Sequence, residues 1–477
     1  MTMNAPKLPL ILLALTALFP NLTPAQPQWP QFRGVGGLSV AGDGAPPVHF
    51  GPASNVLWKA ALPSGNSSPC LWGNRIFITS YAKPVLEILC LDRASGKILW
   101  RHAPPVNKVE TTHTLNNPAT PTPATDGTNV FVYFGSVGLM AFDFDGKVRW
   151  SKPLPAPVVE FGTSTSPLLA GDLLILNFDQ DKDSFLLAVD KRTGREVWRR
   201  DRGEFRRGFA SPFLWRHDGA EELIVPGSLW LKSYNLADGT ERWSVSGTSR
   251  VACSSPAAGD GLLYSAGWNI GGDEGARLSM PRFEEIAPEH DKNKDGQFTL
   301  EELPKGPFRE RFSQIDVNKD GIATRAEWDS MADAFAKAEN ALIAIRPGGK
   351  GDITGTHVAW RQTRSLPYVS SPLFYQGKVF TIKNGGLASC YEARSGKALY
   401  QDERLGSGLG DFYSSAVGTD NKVYVTAQKG TVVVYEAGDY LNVLARNDLA
   451  EHVMATPAIV EGKIYLRTAT ALYAFGL

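Results

Sequence analysis

Cysteine is scarce in this chain. Four residues in 477 (Cys70, Cys90, Cys253 and Cys390) stand far apart, never adjacent and never as C-x-x-C pairs. That excludes a disulfide framework as the source of stability, and a chain this long can bury a core without staples. Buried free thiols are expected. Charge of either sign is not in excess, with 49 Lys and Arg against 49 Asp and Glu. A neutral balance argues against nucleic acid or an anionic membrane surface as the main partner. Beyond the first 25 residues no apolar run approaches the ~18 residues that would span a bilayer. Neither a G-x-S-x-G elbow, an H-E-x-x-H helix nor a P-loop occurs. The histidines (His49, His102, His113, His217, His290, His357 and His452) fall in no ligand spacing. No catalytic constellation is legible, so the chain is not expected to be an enzyme.

What is present starts with Met1–Ala25. Lys7 gives a positive start, Leu8–Phe19 an apolar core and Thr23-Pro-Ala25 a small-residue cleavage site. The expectation is a cleaved signal peptide and a periplasmic or secreted protein without a membrane span. No cysteine lies near the cleavage point to carry a lipid. Residues 26–54, rich in Pro and Gly, read as a leader lying over the surface of the repeat domain after it.

The most specific signal lies between Asp291 and Glu327, where one twelve-residue acidic loop is written twice. The first copy carries Asp291, Asn293, Asp295, Gly296, Gln297, Thr299 and Glu302; the second carries Asp316, Asn318, Asp320, Gly321, Ile322, Thr324 and Glu327. Side-chain oxygens at positions 1, 3, 5 and 9, a backbone carbonyl at 7, Gly at 6 and Glu at 12 are what an EF-hand needs to surround one hard cation. Two Ca²⁺ ions are expected, held by Asp291, Asn293, Asp295, Gln297 and Glu302, and by Asp316, Asn318, Asp320, Ile322 and Glu327. Apolar residues flank both loops at helical spacing: Phe283 and Ile286, then Phe308, Phe312 and Ile315, then Trp328, Met331 and Phe335. Position 8, which pairs the loops, is Phe298 in one and Ala323 in the other. With three carboxylates per loop and lysines interleaved (Lys292, Lys294, Lys319), affinity falls near roughly 10⁻⁴–10⁻³ M. At one to ten times Kd each ion adds about 0.4–1.4 kcal/mol.

Outside that region the chain repeats. A triplet of the form small, Ser/Thr, Pro/Ala recurs around Ser68, Thr120, Ser166, Ser211, Ser255, Ser371, Ser415 and Thr456, at steps of 52, 46, 45, 44, 116, 44 and 41. The long step contains both acidic loops, so they are an insertion, residues 279–340, within the fifth repeat. A second signature, an apolar strand, a Gly-bearing turn and a strand with one large aromatic, places Trp100, Trp150, Trp198, Trp243 and Tyr400 at one recurrent position. Four strands per ~44 residues, eight times over, predict an all-β, eight-bladed β-propeller of four-stranded blades over residues 55–477. The chain stops one strand short in Ala471–Phe475, and Val56–Ala60, carrying Trp58, supplies it. Pairing of the N- and C-terminal strands would close the circle, with the α-helical EF-hand pair inserted in blade five. The aromatic row reads as packing between blades.

These A-x-D-x-x-T-G-x-x-x-W hairpins resemble the PQQ-like repeats of quinoprotein dehydrogenases, of the outer-membrane assembly factor BamB, and of PQQ-binding-like β-propeller repeat proteins. The opening Trp29-Pro-Gln-Phe32-Arg-Gly34 looks like the start of exported bacterial members of the last group. The resemblance is specific for fold and poorly specific for activity. A PQQ-dependent dehydrogenase would imply an adjacent cysteine pair against the quinone, which this chain lacks, so PQQ is not expected. A BamB-like scaffold for outer-membrane assembly would imply a lipid-bearing cysteine and no EF insertion. The expected function is calcium-binding and scaffolding, with a protein or small ligand at the propeller's funnel face; the dehydrogenase and the BamB-like scaffold are the alternatives. Just before the innermost strands stand Asn66, Asn116, Glu160, Arg207, Arg250, Tyr368, Asp411 and His452, expected to ring the funnel mouth.

Overall fold

The computed structural model describes residues 26–42, 44–273 and 275–477. The segment read as a signal peptide lies outside the described residues. Eight sheets of at least four antiparallel strands form the blades of an all-β propeller, and a separate two-stranded sheet belongs to the insertion.

Blade three shows why these sequences form these strands. Leu168–Ala170, Leu173–Phe178, Phe185–Asp190 and Glu196–Asp201 pair in order from the channel outward. The two middle strands are almost wholly buried, because each is covered on both faces by neighbouring blades. They therefore read as continuous apolar runs, whereas the outer strand alternates with Trp198 turned inward. Asp190 ties the third turn: its Oδ1 accepts from the backbone N–H groups of Arg192 and Thr193, and Gly194 closes the turn onto the Asp190 carbonyl at 2.8 Å.

The aromatic row joins blade to blade. The indole N–H of Trp58 donates to the Arg93 carbonyl at 3.0 Å, Trp100 to Phe144 at 2.8 Å, Trp150 to Lys191 at 2.9 Å, Trp198 to Leu236 at 2.8 Å and Trp360 to Ala393 at 2.9 Å. Each acceptor lies at the next blade's Gly-bearing turn. Trp360 in blade five was not legible as a signature, since the turn before it is lengthened to 346–357. Trp243 departs from the row, bonding Glu222 of its own blade at 2.6 Å. The turn it would meet is that long one, which instead lays Gly351–Asp352 parallel along Trp243 and Ser244.

At the inner edge the blades are tied by a closed ring of hydrogen bonds. The Ser68 backbone N–H donates to Thr122 Oγ1 (3.0 Å), Thr122 to Ser166 (3.0 Å), Ser166 to Ser211 (2.9 Å) and Ser211 to Ser255 (3.0 Å). Ser255 donates to Ser371 (3.0 Å), Ser371 to Ser415 (3.3 Å), Ser415 to Thr456 (2.9 Å) and Thr456 back to Ser68 (3.0 Å). The repeat marker is therefore the ring itself. In blade two the ring member is Thr122, not Thr120, because Thr-Pro is written twice there and Thr120 instead bonds Asn116 and Asn117. Val56–Ala61 pairs antiparallel with Ala471–Phe475 in the eighth sheet, with Trp58 opposite Ala474.

The leader lies against the propeller and is anchored into it at several blades. Gln28–Trp29 pairs with Leu71–Trp72 on the channel side of blade one, and Trp29 is fully buried. Arg33, buried below the ring, donates to the carbonyls of Pro256 at 2.7 Å and Pro372 at 2.6 Å in two different blades. Further on, Val48 and Phe50 engage the Asn447 side chain. Apolar anchors at Trp29 and Phe50 outweigh the turn-forming residues between them.

The insertion leaves blade five between Leu262–Gly267 and Ala341–Ile345. It contains α1 (Phe283–His290), α2 (Pro307–Glu310), α3 (Phe312–Ile315) and α4 (Arg325–Lys337). Its own core gathers Phe283, Phe298, Phe312, Ile315, Trp328, Met331 and Phe335. The segment before the second acidic loop is not one helix: Gly306 and Pro307 start α2, and non-helical backbone at Arg311 separates it from α3.

The blade junction can be tested at two glycines. Gly194 has φ +71°, and a Cβ there would meet Trp150 at 2.6 Å; Gly171 has φ +58° and open space. Both Ala substitutions incur about 1–2 kcal/mol of left-handed backbone cost. Gly194→Ala should lose clearly more than Gly171→Ala in urea unfolding, because only the first displaces the tryptophan; equal losses would show that the indole contact contributes nothing.

Candidate functional site

The funnel opens on the side of the ring that carries the loops into the innermost strands. It is a cavity of about 530 Å³ whose floor is the eight ring hydroxyls and Phe32 of the leader. Six of the eight residues expected at its mouth line it: Asn66, Asn116, Arg207, Arg250, Tyr368 and Asp411. Glu160 stands behind, paired with Arg207 at 3.2 Å, and His452 uses its carbonyl to hold Ala469. Sequence reasoning missed the aromatic wall of Phe161, Phe209 and Tyr413 and, more importantly, Arg311 and Gln314 of the insertion. No local pattern marks those two; the ring hydroxyls, by contrast, were visible as repeat markers.

The insertion packs on this face. Arg206 donates to the Gln314 carbonyl at 2.7 Å, and the Arg250 guanidinium lies over the Phe335 ring at 4.4 Å. Buried Asp181 accepts from Arg207 Nε at 2.6 Å and has Arg206 and Lys319 each at 3.9 Å. One carboxylate thus faces three cations from two loops. Arg250 has no carboxylate partner among the described residues; burial, and then repulsion by Arg207 and Arg311, lower its pKa to about 10. Cys253 also lines the cavity, and burial pushes its thiol up to about 12. The cysteines are free, and three of them are buried.

The two acidic loops are congruent. Gln297–Thr299 pairs antiparallel with Ile322–Thr324, with Phe298 opposite Ala323. In the first loop Asp291 accepts from the N–H groups of Asp295 (3.2 Å) and Gly296 (3.0 Å), and Asn293 Oδ1 from Asp295 N–H (3.0 Å). Asp295 accepts from Gln297 N–H at 3.0 Å, and Glu302 from Thr299 N–H at 2.8 Å. The second repeats this: Asp316 accepts from Gly321 N–H (3.0 Å), Asn318 from Asp320 (3.0 Å), Asp320 from Ile322 (2.9 Å) and Glu327 from Thr324 (3.0 Å). Among the described residues no three His, Cys, Asp or Glu side chains are drawn together around one point. Glu302 and Glu327 are instead turned onto the threonines three residues earlier. Asp316 Oδ1 is different: it is buried and has no hydrogen-bond partner. A bare buried carboxylate oxygen is costly unless a cation faces it.

A family model described as outer membrane protein assembly factor BamB matches residues 87–260. No curated protein matches this sequence. Among solved structures, BamB from Moraxella catarrhalis aligns at 12% identity and TM-score 0.54, covering 88% of this chain and 98% of that one. Quinohemoprotein alcohol dehydrogenase from Comamonas testosteroni aligns at 10% identity and TM-score 0.54, over 94% of this chain and 80% of that one. A europium-containing methanol dehydrogenase aligns at 11% identity and TM-score 0.58, over 94% and 98%. The likeness is one of fold. Among the described residues no helix is long and apolar enough to cross a membrane, which does not bear on strands.

One titrating group supports the funnel wall. Glu110 accepts from Thr163 Oγ1 at 2.9 Å and from its N–H at 3.3 Å, pinning the loop that carries Asn116 to blade three. Burial, opposed by those two bonds, pushes its carboxyl up to about 7. Between its ordinary value near 4.5 and 7 the folded chain holds a proton that the unfolded chain releases, so this group's contribution to stability falls as pH rises through that window. Glu110→Gln should remove that slope: the wild-type loss of thermal stability from pH 5 to pH 8 (roughly the window's two sides) should shrink in the variant, and an unchanged loss would refute the assignment.

Proposed function

We propose that the protein is an exported calcium-binding propeller that acts as a binding or scaffolding protein, with its ligand or partner in the funnel. Two Ca²⁺ ions would be held by EF-hand loops, through Asp291, Asn293, Asp295, the Gln297 carbonyl and Glu302, and through Asp316, Asn318, Asp320, the Ile322 carbonyl and Glu327. The observation that carries this reading is the partnerless buried Oδ1 of Asp316 at position 1 of the second loop. The paired loops around Phe298 and Ala323 support it. Loading requires Glu302 and Glu327 to swing from their threonines toward the ion, a rotation of exposed or half-buried side chains. The module's role at the funnel is to supply a wall: α3 begins beside Arg311 and ends at Asp316, so the metal loop and the cavity share one short rigid element.

The family match over residues 87–260 favours a second reading, a BamB-like scaffold for outer-membrane assembly. The dehydrogenase reading has weaker support from the residues. The cysteine at the funnel is Cys253 alone among those described, whereas the notable dehydrogenase feature is an adjacent pair.

Terbium luminescence sensitised by Trp328, with Ca²⁺ as competitor, tests the metal sites. The Ca²⁺ dissociation constant obtained from the competition should be roughly 10⁻⁴–10⁻³ M, and Glu302→Ala combined with Glu327→Ala should abolish the signal while leaving the propeller folded. A signal that persists in the double variant would sink the assignment.

A further inference from the structure

We propose that the funnel is an anion site: Arg250 and Arg311, standing above the ring hydroxyls, take a small ligand that carries a carboxylate or phosphate on an apolar or aromatic body. This rests on the funnel being the binding face, but not on calcium.

The charges in the cavity do not balance. Arg207 is already spent on Asp181 and Glu160. Both guanidiniums lie over the Phe335 ring, Arg250 at 4.4 Å and Arg311 at 6.0 Å, and Arg311 adds only a long contact of 3.5 Å to the Pro307 carbonyl. Both guanidiniums line the same cavity, where Asp411 is the carboxylate among the lining residues. Holding like charges together away from bulk water is unfavourable until an anion joins them.

The floor adds donors of a different kind. Every ring oxygen accepts a neighbour's N–H, which leaves its own hydroxyl proton to be donated. None of the eight gives that proton to another group of the protein among the described residues. All eight line the cavity. A circle of hydroxyl donors below two free guanidiniums suits a ligand rich in acceptor oxygens, and bidentate pairing with Arg selects carboxylate or phosphate.

The walls specify the rest of the molecule. Phe161 meets Phe209 edge-on at 6.1 Å, and Trp268 meets Tyr368 at 5.8 Å. A cavity of about 530 Å³ lies within the usual range for small-molecule sites. Arg311 comes from the insertion and Arg250 from the propeller, so both parts must be present for full affinity.

Isothermal titration of the full chain with phenyl phosphate, benzoate and neutral benzyl alcohol tests this, in Ca²⁺ and again in chelator. At least one anion should bind, with benzyl alcohol about tenfold weaker or more, and the stronger anion identifies the headgroup. Arg250→Gln and Arg311→Gln should each weaken that anion by about tenfold or more. Equal binding of benzyl alcohol, no binding of either anion, or wild-type affinity in both folded variants would overturn the proposal. Arg311→Gln lies outside the propeller core, so it remains informative if Arg250→Gln misfolds. Failure of the terbium experiment with anion binding intact would remove the calcium reading alone.

Discussion

Eight backbone N–H groups, each donating to a hydroxyl of the next blade, hold the inner edge of this propeller together. The inner strands are short, two to five residues, and cannot bury much apolar surface. A hydrogen bond per junction compensates for that, and its geometry fixes how far each blade is rotated from its neighbour. At the outer edge the tryptophan row does the same with larger contacts, the indole packing on a glycine turn and bonding a carbonyl beside it. Between these two belts, the middle strands need only be apolar and of matched length. Substitution there is tolerated by volume, whereas the belts demand particular atoms.

The ring also sets what the funnel can be. Because its oxygens accept backbone N–H groups and its hydroxyls have no acceptor among the described residues, the floor can donate before any loop contributes. The loops and the insertion then add guanidinium groups in excess of carboxylates. Arg33 seals the channel from the other side by bonding carbonyls of two blades, and burial lowers its pKa to about 9. The leader is therefore part of the floor rather than a linker, and Phe32 reaches the funnel from it.

Propellers of this architecture serve as both enzymes and scaffolds, and alignments near one residue in ten carry the fold alone. This chain carries a helical module between the second and third strands of blade five. It emerges on the funnel face because second strands end there, and it is fastened by Asp181, which gathers charges from the propeller and from Lys319 of the second loop. The four residues of α3 alone separate Asp316 of the second loop from Arg311 at the cavity.

Local chemistry made much of this legible from the amino acids alone. A strand that is covered on both faces must be apolar throughout, and a turn closed by Asp and Gly must carry both, so eight blades could be counted. Oxygen-bearing side chains at alternate loop positions are likewise a short-range pattern, and the two acidic loops pair through Gln297–Thr299 and Ile322–Thr324. Convergence is a long-range property and left no such trace. Thr122 rather than Thr120 joins the ring because only one of two identical dipeptides reaches the neighbouring blade. Trp360 belongs to the aromatic row behind a lengthened turn, and the Pro- and Gly-rich leader is drawn inward by two buried aromatics. Arg311 meets Arg250 across 61 positions of sequence because a helical module folds back onto the face it left. Tertiary packing alone decided those encounters, since nothing within either segment fixes the distance between them.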